Sequence, residues 1–212
     1  MHSPERIFAT MTAYQQSQAL QAAIRLDLFT HIDNGAQSVT ALAEGCSASE
    51  KGVRILSDYL VVMNLLKKEN GKYLLTEETK LFLSKNSQAY LGSANVFLNS
   101  EMLSNCFQNL DLAVRKGGTV ADKSPIAPEN PIWVDFARGM APMMMPASIA
   151  IAKSIGLKKD APLKVLDIAA GHGVFGISVA NEYPNAVVTA LDWKSVLEVA
   201  LENATKAGIK DR

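Results

Sequence analysis

The chain has 212 residues, with 21 basic and 21 acidic side chains, and therefore no formal net charge at neutral pH. This balance argues against a general affinity for nucleic acid or an anionic membrane, and no run approaches the ~18 apolar residues of a membrane span. The two cysteines are too few for a disulfide framework and lack metal-ligand spacing. We therefore expect buried thiols, no metal site and a cytoplasmic protein.

The first predicted elements are helices. Ser3 and Pro4 are typical of a helix start, and we expect this helix to continue to about Phe29 with an apolar packing face. Ser38 predicts the start of a short second helix. The capping box of Ser47-Ala48-Ser49-Glu50 predicts the start of a longer third one.

A β-hairpin follows these helices. Apolar residues alternate from Leu65 to Thr76 around Asn70-Gly71, a pair that favours a two-residue hairpin turn. Helices followed by a hairpin predict a winged helix, a fold that often binds DNA. Between Ala36 and Ser84, however, six basic side chains are balanced by six acidic ones. DNA binding requires a basic face, which this balance does not indicate. A winged-helix regulator that senses a ligand is therefore an alternative hypothesis and not the favoured one.

The middle of the chain is predicted to be helical and interrupted. Residues 93–115 have a helical pattern, and residues 116–130 are rich in Gly, Pro and Ser and predict a loop. Another helix is expected from Asn130 onward. We expect Pro142 and Pro146 to bend or break it, because proline removes a helical N–H donor.

A strand, a glycine turn and a helix are predicted next, in residues 163–183. The continuous apolar run that is typical of a parallel strand covered on both faces consists of Val165, Leu166 and Ile168. Gly171 and Gly173 permit a tight turn and a close backbone approach to a ligand, at which the N–H groups of the next helix are directed. A second apolar strand, residues 186–191, ends at Asp192, where a carboxylate can bind ribose hydroxyls.

Two cofactors are compatible with this turn. Gly171, Gly173 and Gly176 have the spacing of the dinucleotide fingerprint, which predicts an NAD-dependent oxidoreductase as one alternative. Asp167 argues against it, because a dinucleotide fold usually has an apolar residue at this position of the strand. A carboxylate inside a strand also needs a partner.

The stretch from Asp167 to Gly173 resembles motif I of the class I S-adenosylmethionine-dependent methyltransferases, acid-x-Gly-x-Gly-x-Gly, with Ala169 in place of the first glycine. The resemblance implies that S-adenosylmethionine is the cofactor. It also implies that Asp192 binds the ribose and that Trp193 faces the adenine. We interpret His172 as a solvent-facing spacer. The cofactor-binding residues are predicted to be Asp167, Ala169, Gly171, Gly173, Asp192 and Trp193.

The rest of the chain is similar to the plant-type (family 2) O-methyltransferases and related bacterial enzymes. In that family the winged helix is a dimerisation domain, which implies a homodimer. Residues 136–140 resemble the family's F-x-x-x-M stretch, so Phe136 and Met140 are predicted to border the acceptor pocket. The expected substrate is a small, aromatic or polyketide-like hydroxyl compound, with no nucleic-acid or membrane partner.

The expected fold is a mainly α winged-helix dimerisation domain at residues 1–92, connecting helices at 93–160, and an α/β Rossmann-like methyltransferase domain from 161. Only the first two strands and helices of that last domain are present, so we expect the chain to be incomplete. The family's catalytic histidine would then follow Arg212, since neither His2 nor His31 fits that role. The resemblance therefore assigns no catalytic residue within residues 1–212.

Overall fold

The structure, a computed structural model, describes residues 3–120 and 130–212. It contains two compact units, Met1–Gly92 and Ser93–Arg212. Most of the predicted loop at 116–130 lies outside the described residues. Within those residues, no helix is both long and apolar enough to cross a membrane.

The first unit is a winged helix, as predicted. Its elements are α1 (Glu5–Arg25), α2 (Leu28–Asp33), α3 (Val39–Gly45), α4 (Glu50–Val62), β1 (Leu66–Glu69), β2 (Lys72–Leu75) and α5 (Glu77–Leu83). The side chains of Ser38, Ser49 and Thr76 cap α3, α4 and α5 by accepting backbone N–H bonds. Each of these helices thus begins at a residue whose hydroxyl satisfies an otherwise free donor.

The first helix is shorter than predicted. It ends at Arg25, because Asp27 adopts a left-handed conformation with φ of 55°, which a continuous α-helix does not allow. The break redirects the chain so that Leu28 and Phe29, at the start of α2, are fully buried in the core. The prediction of one helix through Phe29 was therefore wrong, because burial of these two side chains outweighs continuation of the helix.

The cap of α4 also differs from the prediction. The Oγ atom of Ser49, not that of Ser47, accepts the N–H of Gly52 at 3.2 Å. Ser47 lies in the preceding turn with φ of 49°. Glu50, the expected partner in a capping box, accepts a hydrogen bond from the Thr40 hydroxyl at 2.6 Å and so connects α4 to α3.

The hairpin has the predicted turn. β1 and β2 pair antiparallel, with Glu69 opposite Lys72, and both Asn70 and Gly71 have positive φ angles of 50° and 77°. Tyr73 on β2 is fully buried, and its hydroxyl donates to the Asp58 carboxylate on α4 at 2.7 Å. This hydrogen bond connects the β1–β2 hairpin to α4.

The same carboxylate accepts a charged hydrogen bond from the opposite strand. Lys68 Nζ lies 2.6 Å from Asp58 Oδ1. The bonds from Lys68 and Tyr73 hold the pKa of Asp58 below its ordinary value, so the carboxylate stays ionised.

The first half of α1 does not contribute to the core of this unit. The core is formed by side chains of α2, α3, α4, the hairpin and the second half of α1, among them Phe29, Leu42, Leu60 and Tyr73. In contrast, Ile7, Phe8, Met11 and Tyr14 on α1 are between 58% and 66% exposed. They form an apolar stripe on one side of α1, which we call the α1 stripe.

The second unit begins with short helices. They are α6 (Gly92–Leu98), α7 (Glu101–Gln108) and α8 (Leu110–Lys116). The Oγ atom of Ser100 caps α7 by accepting the N–H of Leu103 at 3.4 Å. Residues 93–115 are therefore helical, as predicted, and are divided among three helices.

The long helix α9 (Ile132–Ser154) is continuous across Pro142 and Pro146, so the helix does not break at either proline. Two contacts explain how it persists without those two N–H donors. Ser148 on α9 shares a 2.8 Å hydrogen bond with Ser178, a residue of α10 (Val174–Glu182). Ala152 further along α9 packs in the same buried cluster as Tyr183. Packing against α10 therefore offsets the missing helical bonds.

The remaining elements form a two-stranded parallel sheet and a last helix. β3 (Lys164–Ile168) pairs with β4 (Val187–Leu191), with Asp167 opposite Ala190, and α11 (Lys194–Lys206) follows β4. This strand–helix–strand–helix order confirms the predicted Rossmann-like start. The parallel sheet places the ends of both strands at one edge, where ligands bind in such folds.

Among the described residues the sheet is covered on one face, whereas a parallel strand in a complete sheet is usually covered on both. Val165 packs against the cluster of Ala152, Val179 and Tyr183. Leu166 and Ile168, which point to the other face, are 60% and 67% exposed. Side chains alternate across a strand, so a run of apolar residues does not by itself show that both faces are packed.

Replacing Tyr73 with Phe should lower the free energy of unfolding of the first unit by about 1–2 kcal/mol, because the bond to an ionised carboxylate is lost. Urea denaturation of both proteins measures this difference. Tyr59→Phe is the matched control, since the Tyr59 hydroxyl has no hydrogen bond among the described residues. An equal loss in both variants would contradict a specific role of the Tyr73–Asp58 bond.

Candidate functional site: the glycine turn between β3 and α10

The turn that joins β3 to α10 depends on left-handed backbone angles. Gly171 and Gly173 have φ of 57° and 74°, which glycine adopts without steric cost. Ala169 has φ of 56° although it carries a Cβ atom. Ala169 occupies the position of the first glycine in motif I of the class I methyltransferases. The left-handed conformation costs about 1–2 kcal/mol in an L-residue.

Asp192 connects the end of β4 to this turn. Its Oδ2 atom accepts the N–H of Gly171 at 2.8 Å, and Oδ1 accepts the N–H of Trp193 at 2.7 Å. The carboxylate is therefore held beside the turn. Its two oxygens have about four acceptor positions in all, so two remain for further donors such as hydroxyl groups.

Asp167 is held inside β3 by the helix that follows. Its Oδ2 atom accepts the N–H of Gly176 at 3.1 Å, in the first turn of α10. The positive end of a helix stabilises a carboxylate, and this bond supplies the partner that an acid within a strand requires. A negative charge thus stands at the start of α10.

Gly176 permits the close approach that makes this bond. A Cβ atom at this position would lie 2.7 Å from Val188 Cγ1 on β4 and 3.1 Å from Asp167 Oδ2. The absence of a side chain therefore lets α10 lie against the sheet. The third glycine of the fingerprint has a packing role here.

His172 is buried, so its interpretation as a solvent-facing spacer was wrong. The residue is 5% exposed, and its ring stacks on Phe175 with 6.0 Å between ring centroids. Its Nδ1 atom accepts the N–H of Val174 at 3.2 Å, and its carbonyl accepts a bond from Asn203 Nδ2 at 2.8 Å. Burial lowers the pKa of the ring, opposed in part by the charge of Asp167.

The sequence analysis predicted neither of the two hydrogen bonds of His172, from the N–H of Val174 and from Asn203. One signal was present for the first: the N-cap of α10 is Gly173, which has no side chain to accept an N–H, so a neighbouring acceptor is needed. Nothing local marks Asn203, which lies on α11 and is 31 positions away from His172.

Trp193 lies at the start of α11, whereas Phe136 and Met140, the residues predicted to border the acceptor pocket, lie on α9. Trp193 is the N-cap of α11, directly after Asp192, and is 45% exposed. Phe136 on α9 packs edge to face against Phe97 at 5.2 Å and against Trp133 at 5.8 Å. Met140, one helical turn after Phe136, is half-buried.

An open cleft of about 320 Å³ lies between α10, β4 and α11. Its walls are mainly apolar, and Asp167, Gly173 and Gly176 are among the residues that line it. Neither Asp192 and Trp193 nor Phe136 and Met140 lie on its walls. The structure thus brings Asp167, Gly171, Gly173 and Asp192 together around the turn. Phe136 lies in an aromatic cluster formed by α6 and α9, and Met140 follows it on α9.

Two family models match the chain in succession. Residues 8–85 match the O-methyltransferase dimerisation domain, and residues 132–212 match a methyltransferase model described as lysine methyltransferase. A relative in Chlorobaculum tepidum, bacteriochlorophyllide d C-20 methyltransferase, is 25% identical over 203 residues, which are 91% of this chain and 57% of the relative.

Solved structures show the same fold. A protein from Nostoc punctiforme PCC 73102 described as an O-methyltransferase is 45% identical, with a TM-score of 0.91 over all of this chain and 63% of its own. Human N-acetylserotonin methyltransferase, solved with SAM, is 22% identical, with a TM-score of 0.75 over 94% of this chain and 62% of its own. The chain therefore spans about three-fifths of the length of these relatives.

Replacing Ala169 with Gly should raise the free energy of unfolding by about 0.5–1 kcal/mol. The relief of left-handed strain is larger than the added flexibility of the unfolded chain. Thermal or urea denaturation measures the change. Ala170→Gly is the control, because Ala170 is buried without a positive φ and its loss should destabilise the protein. Destabilisation by Ala169→Gly would refute strain at this residue.

Proposed function

We propose that the chain binds S-adenosylmethionine at the glycine turn and methylates a hydroxyl group of a small acceptor. Its matches to the O-methyltransferase dimerisation domain and to a methyltransferase model support this proposal. The observation that carries this proposal is the 2.8 Å hydrogen bond from Gly171 to Asp192. It holds an acidic side chain from the end of one parallel strand against the turn that follows the other. This is where a nucleoside binds in open α/β sheets.

The hydrogen bonds at the start of α10 favour a cationic ligand over a dinucleotide. A pyrophosphate binds the free N–H groups at a helix start. Here the N–H of Val174 is bonded to His172 and that of Gly176 to Asp167. The carboxylate of Asp167 would also repel the phosphates, whereas it would attract the sulfonium and ammonium groups of S-adenosylmethionine. This argues against the NAD-dependent alternative.

Each residue around the turn has a proposed task. The free acceptor positions of Asp192 fit the two ribose hydroxyls, and the exposed Trp193 side chain next to it suits contact with the flat adenine. The methionine part of the cofactor is proposed to lie along the turn, beside Asp167, Ala169, Gly171 and Gly173. The methyl group of Ala169 narrows this side of the site relative to a glycine.

The cofactor, when bound, supplies a methyl group on a positively charged sulfur for in-line attack by the acceptor oxygen. The chain's own contribution in this proposal is to bind and orient the cofactor. His172 is buried with Nδ1 already bonded, and His31 lies on α2 in the other unit. We therefore assign no general base to either residue.

The proposed acceptor wall is the aromatic cluster of α9 with Phe136 and Met140. Edge-to-face packing of Phe136 with Phe97 and Trp133 gathers three aromatic rings into an apolar cluster, which suits an aromatic or polyketide-like acceptor. A carbon acceptor is the second candidate, since the Chlorobaculum relative is named for methylation at C-20. We propose no nucleic-acid partner, because the winged helix has balanced charge.

We also propose that two copies associate through the α1 stripe. Ile7, Phe8, Met11 and Tyr14 are exposed, and they lie in or next to the segment that matches the dimerisation domain. An exposed apolar stripe on a helix is a typical protein–protein contact. A cytoplasmic location agrees with the free thiols of Cys46 and Cys106.

Asp192→Ala should weaken binding of S-adenosylmethionine by about 1–3 kcal/mol, because charged hydrogen bonds to the ribose are lost. Isothermal titration of the wild type and the variant measures this change, with NADH as a ligand expected not to bind. Asp160→Asn, in an exposed loop, is the control and should bind normally. Unchanged affinity in Asp192→Ala would remove this residue from the site, and binding of NADH alone would refute the proposed function.

Met11→Glu should raise the dimer dissociation constant at least about a hundredfold, because it buries an unpaired charge in the contact. Light scattering after size-exclusion chromatography measures the mass of each species across a dilution series. Ala13→Glu adds the same charge on another side of α1, where the residue is also exposed, and should leave the dimer intact. A monomeric wild type, or equal effects of both variants, would contradict the α1 contact.

A further inference from the structure

The start of α10 lacks a capping side chain of its own. Gly173 is its N-cap, and no side-chain hydrogen bond from that residue satisfies the first turn. The Nδ1 atom of His172 fills this role by accepting the N–H of Val174 at 3.2 Å. An imidazole nitrogen that accepts a bond carries no proton, so the proton of the neutral ring is on Nε2.

The backbone of His172 is held as well. Asn203, on α11, donates to its carbonyl at 2.8 Å. The preceding residue, Gly171, donates its N–H to Asp192 at 2.8 Å. The turn is therefore held at three points. The N–H of Gly171 is bonded to the end of β4, the carbonyl of His172 to α11, and the ring of His172 to the start of α10. The stacking of the His172 ring on Phe175 fixes the side chain in the same place.

We propose that His172 and Asn203 are positioning residues for the cofactor turn. This inference rests on the proposed function. His172 acts as a neutral acceptor, and Asn203 holds its carbonyl, so that together they fix the orientation of Gly171 toward Asp192. Neither residue needs to touch the cofactor. Their effect passes through the backbone of residues 171–174.

This role makes a specific demand on position 172. An asparagine there can accept the N–H two residues later through Oδ1, the geometry of an Asx-turn. A leucine fills similar space but accepts no hydrogen bond, and it leaves the buried N–H of Val174 without a partner. Asn should therefore replace His172 in function where Leu cannot.

The test is titration of S-adenosylhomocysteine into the wild type, H172L and H172N. H172L should weaken binding about tenfold or more, and H172N should restore most of that loss. N203A should weaken binding in the same direction, and the H172L/N203A double variant should lose less than the sum of the two, because both act on one turn. Wild-type affinity in H172L, or equal losses in H172L and H172N, would overturn the proposal.

A ligand-free measurement separates this inference from the proposed function. The ring nitrogens of His172, observed by nitrogen NMR, should report the Nε2-protonated tautomer at neutral pH. Amide hydrogen exchange at Val174 should be faster in H172L and close to wild type in H172N. If the wild type binds no S-adenosylhomocysteine, the proposed function fails. If the tautomer or the exchange pattern is different, the positioning role fails.

Discussion

The close approach of α10 to the sheet at Gly176 is the constraint on which the candidate site depends. A Cβ atom at position 176 of the helix would lie 2.7 Å from Val188 Cγ1, so only glycine allows this approach. Because the helix lies this close, the N–H of Gly176 reaches the carboxylate of Asp167 in the neighbouring strand. That bond stabilises an acid within β3 and gives the start of α10 a negative neighbour. The electrostatic character of the site, acidic where a phosphate-binding turn would be basic, thus follows from one packing requirement.

Features governed by local backbone chemistry could be predicted from the sequence. Asn70-Gly71 predicts its hairpin because both residues tolerate the positive φ that the turn requires. The left-handed turn between β3 and α10 could be predicted for the same reason, since Gly171 and Gly173 tolerate positive φ angles. The order of strand, turn, helix and strand before Asp192 was sufficient to predict the parallel pair of strands and the edge at which their ends meet.

Features decided by tertiary contacts could not be predicted in this way. The helix α9 passes through Pro142 and Pro146 because α10 packs beside it, and nothing near the prolines marks that neighbour. The break at Asp27 reflects the burial of side chains that follow it. His172 looked like a spacer because its position between two glycines carries no information about α11, which supplies its partner from a distant part of the chain.

The buried hydrogen bond between Ser148 and Ser178 couples α9 to the helix that follows the glycine turn. The Ser148 hydroxyl also donates to the Met145 carbonyl within α9 at 2.8 Å, so it is Ser178 that depends on the contact between the helices. One registration is favoured, since sliding either helix would leave the buried Ser178 hydroxyl without this partner. The proposed acceptor wall and the proposed cofactor turn are therefore built on helices that keep a constant offset. Diversification of the acceptor in relatives of this chain would then proceed by replacement of side chains such as Phe136 and Met140, while the distance between methyl donor and acceptor wall stays the same.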